Sequence, residues 1–439
     1  MGVINTFMER KLMDRLRAWK ENPRRMPLLL DGARQVGKTY TALTFGKEQY
    51  KNTVYFNMED SSEIQAIFER DFNIGRLIRE LSVKAGATIF PGDTLIIFDE
   101  IQACERALTS LKYFCENGPE YHIIAAGSLL GVALKRERFS FPVGKVDRLT
   151  LYPLDFEEFL WAVGQKPMAE MIREAYQGFT PLSLHDTALD LYREYLVTGG
   201  MPQPVRTFVE TRDFNFVLAS QKALNDAYIA DMAKYAAPHE TVRIMAAWGS
   251  IPAQLSKENH KFQYRVIKSG ARAHDYEMPL QWLEAAGVIN RCVRVSEGRV
   301  PLTAFADPGA FKIYMADTGL LCSRFDIAAS LVLSGDHRMD GFKGALTENY
   351  IMQALVTAGI QPYYWTLQQN AELDFVFQDR QGNIIPLEAK SAEHVRAKSL
   401  GMFMKRYDCP YAIRVSARNF GFENGIQSIP LYALFCLMK

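Results

Sequence analysis

The feature that most constrains this chain is a glycine-rich segment between an apolar run and a helix-forming stretch. The run at 26–31, Met-Pro-Leu-Leu-Leu-Asp, has no polar alternation, which is typical of a buried parallel strand. The segment at 32–39, Gly-Ala-Arg-Gln-Val-Gly-Lys-Thr, follows at once, and residues 40–45 continue with helical character. Two glycines separated by four residues and followed by lysine and threonine form the pattern of a phosphate-binding loop. The sequence therefore predicts an α/β fold built on a P-loop NTPase parallel sheet.

Each residue type in this loop has a physical task. The glycines let the backbone turn so that its N–H groups point inward, and the following helix N-terminus adds a dipole that favours phosphate. Lys38 is expected to reach the β- and γ-phosphates of ATP, and Thr39 to place its hydroxyl on Mg²⁺. The residues predicted to bind the nucleotide are Gly32, Ala33, Arg34, Gln35, Val36, Gly37, Lys38, Thr39, Tyr40 and Ser128.

A second apolar run predicts the acidic part of the same site. Residues 94–98, Thr-Leu-Ile-Ile-Phe, end in Asp99 and Glu100, as expected of a buried strand that delivers acids at its C-terminal edge. In this Walker B pattern Asp99 is expected to hold Mg²⁺ together with Thr39, and Glu100 to polarise the water that attacks the γ-phosphate. Glu100 and Lys38 are therefore the predicted catalytic residues. The alternative is that the two acids only cap the next helix.

Further elements of the same domain follow from the pattern. Two more strands are predicted at 53–57 and 121–126, and an amphipathic helix at 5–20. The strand at 121–126 is followed by Ser128, where additional-strand ATPases place a polar sensor of the γ-phosphate; helix capping is the alternative. Four cations are candidates to complete the site from the same or a neighbouring subunit, and the sequence does not choose among them: Arg136, Arg138, Lys145 and Arg148.

The charge balance excludes a strong global attraction to nucleic acid or to an anionic membrane. Lysine plus arginine number 51 and aspartate plus glutamate number 50, so binding of this kind has to be local. The candidate patch is 396–418, where basic and aromatic residues are mixed, and the alternative is a solvated helix face. Its members are Arg396, Lys398, Phe403, Lys405, Arg406, Tyr407, Tyr411, Arg414 and Arg418.

Cysteine usage and hydropathy bear on the compartment. None of the six cysteines lies in a CxxC pair, and the seven histidines show no ligand spacing beside them, so we expect neither disulfides nor zinc. The sequence has no stretch of about 18 uncharged apolar residues that would span a bilayer. We therefore expect a cytoplasmic protein without a membrane partner.

Several segments together resemble the prokaryotic AAA-like ATPases that carry a C-terminal domain of unknown function. The segments are 31–39, 98–102, 126–128, 151–159, 199–202, 316–321 and 364–365. The resemblance implies an additional-strand P-loop ATPase that uses ATP and Mg²⁺. This chain has Lys145 where members of the family often carry arginine, which weakens an arginine-finger assignment at that position.

The C-terminal part carries a second set of acids. A β-hairpin is predicted at 371–390, and a predicted helix before it carries Glu348. Glu388 and Lys390 share one face because side chains repeat every two residues in a strand, and Asp374 can lie opposite them. The set resembles the core of the PD-(D/E)xK nuclease fold, which implies acids that hold Mg²⁺ against a scissile phosphate. The alternative is a structural set in which Lys390 pairs with one of the acids.

These observations lead us to expect three domains. They are an AAA-like P-loop ATPase domain at 1–160, a helical and winged-helix-like region at 161–335, and a restriction-endonuclease-like α/β domain at 336–439. The expected function is Mg²⁺-dependent binding and hydrolysis of ATP that drives a conformational switch on DNA or RNA. The alternative is an ATP-regulated scaffold for a protein partner, with an inactive C-terminal domain. A homo-oligomer is compatible with both functions.

Overall fold

The computed structural model describes residues 8–60, 62–128, 142–257, 261–335, 340–367, 371–390 and 398–437. They divide into two compact units, each with its own β-sheet. The P-loop unit comprises Arg10–Tyr152 with Ala285–Gly287. The C-terminal unit comprises Pro153–Glu284 and Val288–Lys439, with the described residues before Arg10.

The P-loop unit is a parallel sheet with helices around it. Its strands are β1 (Leu28–Asp31), β2 (Asn52–Asn57), β3 (Thr94–Asp99), β4 (His122–Ala126) and β5 (Asp147–Thr150). Its helices are α1 (Leu12–Glu21), α2 (Lys38–Gln49), α3 (Ser62–Glu69), α4 (Ile74–Ala85) and α5 (Glu105–Asn117). All neighbouring strands pair in parallel, in the order β2-β3-β4-β1-β5. This is the P-loop NTPase α/β fold, so the predicted sheet and its strands are confirmed.

Burial on both faces explains why β1, β3 and β4 are apolar without alternation. In β1, Leu28 and Leu30 pack into one core cluster, whereas Leu29 packs into the other. Helix α1 covers the first of these clusters with Leu12, Met13, Leu16 and Trp19, so it is amphipathic as predicted. It begins at Leu12, however, and residues 8–11 of the predicted helix 5–20 are not helical. A sheet covered on both faces leaves its carboxyl edge as the place where polar side chains can gather.

The C-terminal unit begins with a helical region. Its helices are α6 (Phe156–Ala162), α7 (Lys166–Gly178), α8 (His185–Thr198), α9 (Pro202–Thr211), α10 (Phe214–Tyr235), α11 (Pro238–Leu255), α12 (Tyr264–Ile267) and α13 (Ala273–Ala285). A capping box begins α6, because Asp155 accepts from the Glu158 N–H and the Glu158 side chain accepts from the Asp155 N–H. Reciprocal capping satisfies two backbone donors that the helix itself cannot.

An eight-stranded mixed sheet follows in the same unit. Its strands are β6 (Ile289–Val295), β7 (Ala306–Met315), β8 (Tyr363–Leu367), β9 (Ala371–Gln378), β10 (Ile384–Ala389), β11 (Ala412–Ser416), β12 (Gly421–Glu423) and β13 (Ile426–Pro430). The order is β12-β13-β11-β10-β9-β8-β6-β7. The accompanying helices are α14 (Thr318–Arg324), α15 (Ala329–Leu333), α16 (Asp340–Thr357) and α17 (Lys398–Arg406).

This sheet confirms the predicted hairpin and adds strands from the preceding region. Strands β9 and β10 pair antiparallel, with Leu387 opposite Phe375. Strands β6 and β7 come from the part expected to be helical or winged-helix-like, and β6 pairs in parallel with β8. The residues of 161–335 and 336–439 therefore share one sheet. The division into three domains and the restriction-endonuclease-like identity of this sheet stay predictions.

Two of the family-like segments meet in the core of this unit. The buried Asp317 caps α14 by accepting from the Leu320 N–H at 2.9 Å, and its other oxygen accepts from the Gly200 N–H at 2.6 Å. Burial raises the pKa of Asp317 to about 6, although these N–H groups act against the rise. A Cβ on Gly319 would lie 2.5 Å from the Thr198 carbonyl oxygen, so only glycine fits there. These segments are thus explained by packing.

Two of the three aromatic residues of the candidate basic patch belong to the core, which corrects the sequence interpretation. Phe403 is fully buried and Tyr407 is 7% exposed, and both pack against Trp365 in the core between α17 and the sheet. They cannot stack on nucleic-acid bases from there. Lys405 and Arg406 remain exposed on the same helix, whereas Arg396 lies outside the described residues. No described helix is both long enough and apolar enough to cross a membrane.

We expect Phe403→Ala to lower the free energy of unfolding by about 3 kcal/mol, because it empties the ring's place beside Trp365. The neighbouring Met402 is 38% exposed, so Met402→Ala should change the stability by about 0.5 kcal/mol or less. Urea unfolding followed by far-UV circular dichroism measures both. Equally small effects would contradict a core position for Phe403.

Candidate functional site

The glycine-rich loop connects β1 to α2 through a backbone path that glycine makes possible. Gly32 has φ +140° and Gly37 has φ +99°, both in the region that favours glycine. A Cβ on Gly32 would lie 2.2 Å from the Leu151 carbonyl oxygen, so any side chain there is excluded. Gln35 also has a positive φ, +61°, which shows how tightly the loop turns. Helix α2 begins directly at Lys38, so the helix N-terminus faces the loop.

The Lys38 ammonium lies inside this loop. It is 6% exposed and donates to the carbonyl oxygens of Gly32 at 2.9 Å and Ala33 at 2.8 Å. Burial lowers the pKa of Lys38 to about 8, although Glu100 and Asp99 act against this shift. Because neutral carbonyl oxygens hold this buried ammonium, its charge stays available to a polyanionic ligand.

The two predicted metal ligands, Asp99 and Thr39, lie within hydrogen-bonding distance of each other. Asp99 Oδ2 accepts from the Thr39 hydroxyl at 2.6 Å and from the Tyr55 hydroxyl at 2.9 Å. Its Oδ1 accepts from the Glu100 N–H at 3.0 Å. Sequence reasoning paired Thr39 with Asp99 but missed Tyr55. No local pattern pointed to Tyr55, because it reaches the acid only through the pairing of β2 with β3.

Glu100 stands in a strained conformation at the end of β3. Its φ is +48°, a left-handed conformation that costs a non-glycine residue about 1–3 kcal/mol. The Gln102 side-chain amide donates to Glu100 Oε2, and Gln102 lies in the short 3₁₀-helix Ile101–Ala103 that directly follows the glutamate. Gln102 is a second residue that the sequence reasoning did not assign. The sequence did contain a signal for Gln102, because it lies two residues after Glu100 within the family-like segment 98–102.

Several other predicted residues lie at the same edge of the sheet. Ser128 is buried and follows β4, which pairs directly with β1. Val36 and Ala33 are buried in the loop, and Tyr40, on the first turn of α2, is 45% exposed. Arg34 also lies in the loop, at intermediate exposure.

The cations expected to complete the site have different positions. Arg148 forms an ion pair with Asp31 at 2.7 Å, and Lys145 forms one with Glu116 at 3.0 Å. The Arg148 pair lies at the end of β1, immediately before the loop. Arg136 and Arg138 lie outside the described residues. The choice of a finger residue therefore stays open.

Arg10 is a buried arginine that the sequence did not mark as part of the site, and its hydrogen bonds hold the loop in position. Arg10 donates to the Val36 carbonyl oxygen at 3.1 Å and to the Tyr152 carbonyl oxygen at 2.6 Å. It is 6% exposed. The sequence presents Arg10 as one of several basic residues of an amphipathic stretch, so no local pattern distinguishes it. Its hydrogen bonds link the loop to the segment after β5.

The C-terminal set is brought together only in part. Lys390 pairs with Glu388 at 2.8 Å, and Asp374 accepts from the Ala389 N–H at 2.8 Å. Glu348, on α16, accepts instead from the Tyr314 hydroxyl at 2.7 Å and forms an ion pair with Lys312 at 3.5 Å. Burial and the nearby Glu348 raise the pKa of Asp374 to about 7. No group of three or more acids, histidines or cysteines with the geometry of a metal site occurs within the described ranges.

Lys312 and Glu372 were missed by sequence reasoning. They form an ion pair at 2.6 Å, in which Lys312 comes from β7 and Glu372 from β9. Glu372 is two residues before Asp374, so the two acids share one face of the strand. No signal for Lys312 exists in the sequence near the hairpin, because β7 lies some 60 residues upstream of β9 and meets this region only in the folded sheet.

Three family models match successive parts of the chain. Residues 24–160 match the model described as an AAA domain. The chain contains an AAA-like ATPase domain. Nucleotide binding follows from this at the level of the family. Residues 189–331 and 343–434 match two further models, each described as a domain of unknown function.

Comparisons with individual proteins give distant likenesses. No curated protein matches the chain. A Walker-type ATPase of Pyrococcus abyssi is 15% identical, with 72% of this chain and 96% of that chain covered and a TM-score of 0.47. The ORC1 protein of Aeropyrum pernix in complex with DNA is 13% identical, with 74% and 90% covered and a TM-score of 0.28. The RuvB Holliday junction branch migration motor of Thermotoga maritima is 14% identical, with 67% and 91% covered and a TM-score of 0.31.

We expect Tyr55→Phe to reduce the free energy of unfolding by about 1 kcal/mol, because it removes one of the two hydroxyl donors to Asp99 Oδ2. Tyr121 directly precedes β4, at the amino end of the sheet, so Tyr121→Phe is a matched control with a smaller expected effect. Chemical unfolding of the nucleotide-free protein measures both. A larger loss in the control would contradict the position of Tyr55 at the acid.

Proposed function

We propose that this protein binds ATP together with Mg²⁺ and hydrolyses it. The observation that carries the proposal is the 2.6 Å hydrogen bond between the Thr39 hydroxyl and Asp99, next to a loop that encloses the Lys38 ammonium. Hydroxyl and carboxylate oxygens are the ligands that Mg²⁺ prefers, so these residues fit the ion. Thr39 and Asp99 would hold it, and the bound ion would neutralise charge on the β- and γ-phosphates.

The other residues take the roles that their positions support. The backbone N–H groups of 32–37 and the N-terminus of α2 bind the phosphates, and Lys38 extends from the loop carbonyls to the β- and γ-oxygens. Ser128 contacts the γ-phosphate from the neighbouring strand. Glu100 orients the attacking water and accepts its proton, while Gln102 holds the carboxylate in place. The water oxygen bonds to the γ-phosphorus, the bond to the bridging oxygen breaks, and ADP and inorganic phosphate leave.

Substitution of the lysine and the glutamate separates binding from hydrolysis. Lys38→Ala should abolish ATP binding, because it removes the cation that the loop encloses. Glu100→Gln should keep ATP binding and slow hydrolysis by roughly a hundredfold or more, as expected for loss of a general base. Lys47→Ala is the matched control, because Lys47 is an exposed lysine in the last turn of the same helix. Binding of a fluorescent ATP analogue and release of phosphate are the two measurements.

Each outcome has a clear meaning. Normal hydrolysis in Glu100→Gln would show that another group activates the water. Normal binding in Lys38→Ala would overturn the proposed site altogether. A wild-type protein that binds ATP and releases no phosphate would leave nucleotide binding and remove hydrolysis from the proposal.

We extend the proposal to a conformational switch that ATP drives on a macromolecular partner. Nucleic acid as the partner is supported by three exposed cations of the candidate patch at 396–418, which are Lys405, Arg406 and Arg418. The competing partner is a protein, for which the C-terminal unit would serve as a scaffold. The core position of Phe403 and the ion pair between Lys390 and Glu388 favour this second class, because both take residues away from a nucleic-acid site.

DNA- or RNA-stimulated hydrolysis distinguishes the two partner classes. If nucleic acid is the partner, it should raise the ATPase rate, and the double substitution Lys405→Glu with Arg406→Glu should remove the stimulation while basal hydrolysis is kept. The stimulation should also weaken steeply with salt, because phosphate contacts release counterions. Arg380→Glu, at an exposed position in the β9–β10 turn, is a single charge-reversal control. An ATPase rate that neither DNA nor RNA changes supports the protein scaffold.

A further inference from the structure

We propose that the Lys312 ammonium is the resident cation of the C-terminal acidic cluster and that this cluster therefore binds no divalent metal. The resemblance to a nuclease core implied a metal among Glu348, Asp374 and Glu388. The folded chain instead brings a lysine from β7 to two carboxylates, Glu372 at 2.6 Å and Glu348 at 3.5 Å. This inference concerns the C-terminal unit alone and does not depend on ATP hydrolysis.

The first support is the burial of the lysine. Lys312 is 1% exposed, and a buried ammonium is costly unless it is paired with charge and hydrogen bonds. Here the neighbouring carboxylates Glu348, Glu372 and Asp374 raise the pKa of Lys312 above its usual range, although desolvation alone would lower it. The group is therefore a permanent cation at neutral pH.

The second support is that the lysine has partners outside the nuclease pattern. Its shortest ion pair is with Glu372, which belongs to no position of the PD-(D/E)xK set. The ring of Tyr364, from the family-like pair at 364–365, lies 5.3 Å from the ammonium in a cation–π contact. Lys312 therefore has an acidic partner and an aromatic partner outside the nuclease pattern, and it is a structural residue of this region.

The third support is that carboxylates which a metal would need already have partners within the chain. Glu348 Oε2 accepts from the Tyr314 hydroxyl as well as pairing with Lys312. Glu388 Oε1 pairs with Lys390 at 2.8 Å. A divalent ion placed among these carboxylates would have to displace the Lys312 ammonium from the oxygens of Glu348 and Glu372 with which it is paired. The site residues therefore do not fit the metal that the resemblance implied.

Without a bound divalent metal, this unit lacks the means for metal-assisted cleavage. Metal-assisted cleavage of a phosphodiester requires a cation that polarises the phosphate and lowers the pKa of the attacking water. An ammonium can attract a phosphate but has no coordination position for water, so Lys312 cannot supply the metal-bound water of that mechanism. The cluster instead ties β7, α16 and β9 together through charge, since Lys312, Glu348 and Glu372 come from these three elements.

Titration with Mn²⁺ in the absence of nucleotide tests the proposal on the full-length chain. The free Mn²⁺ signal in electron paramagnetic resonance reports binding, and wild type is compared with Asp374→Asn. The asparagine keeps an oxygen that can accept from the Ala389 N–H, so this variant should fold. We expect the two proteins to bind Mn²⁺ equally. A site present in wild type and lost in Asp374→Asn would overturn the proposal.

Removal of the lysine supplies the positive arm of the test. Lys312→Met should tighten Mn²⁺ binding by roughly ten-fold or more, because the carboxylates then face one another without their cation. Adding Asp374→Asn to Lys312→Met should abolish the gain. Unchanged binding in a folded Lys312→Met protein would overturn the idea that the lysine excludes the metal. If Lys312→Met does not fold, the comparison of wild type with Asp374→Asn decides.

A cleavage assay provides an independent readout. Wild type with Mg²⁺ or Mn²⁺ should leave plasmid DNA and single-stranded RNA intact on a gel. Cutting by wild type that is lost in both Asp374→Asn and Glu388→Gln would overturn the proposal, because it would locate a metal-dependent nuclease in this cluster. Cutting that both variants retain would come from elsewhere and would support it.

Discussion

The hydrogen bond between Thr39 and Asp99 joins two residues 60 positions apart, and the candidate ATP site depends on it. It forms because β1 and β3 are parallel and are separated only by β4, so that both end at the same edge of the sheet. The loop, the first turn of α2 and the acids of β3 then occupy one small region. Apolar burial on both faces of the sheet fixes this order, since Leu29 packs on one side and Leu28 and Leu30 on the other. The chemistry of the site is thus a consequence of how the sheet is packed.

The two units handle buried charge in different ways. In the P-loop unit, Lys38 is held by backbone carbonyl oxygens, which leaves its charge available to a ligand with more negative charge. In the C-terminal unit, Lys312 is held by carboxylates, and its charge is already neutralised within the chain. The first arrangement is typical of a binding site, and the second of an internal ion-pair cluster. Burial alone does not show whether a lysine belongs to a binding site or to an internal ion-pair cluster. The chemical identity of its partners distinguishes the two.

Local patterns predicted much of this structure. The apolar runs predicted four of the five strands of the parallel sheet, whereas β5 was not predicted. The glycine spacing predicted the loop, and the alternation at 371–390 predicted the hairpin of β9 and β10. Other features had no local signal. Arg10 braces the loop from a stretch that reads as a surface helix, and Tyr55 reaches Asp99 from the neighbouring strand. Phe403 and Tyr407 followed a helical spacing that fits either a core face or a surface patch, and only packing against Trp365 decided between them.

The sequence by itself determined the P-loop, the strand that carries Asp99 and Glu100, and the helical character of the region after it. These features depend on neighbours along the chain: backbone freedom at glycine, unbroken apolar runs and side-chain periodicity. The tertiary structure decided which distant residues stand beside them, because contacts between strands are set by the order of the sheet. It placed Tyr55 and Thr39 on one oxygen of Asp99, and it brought Lys312 into an acidic set that the sequence had presented as a metal site.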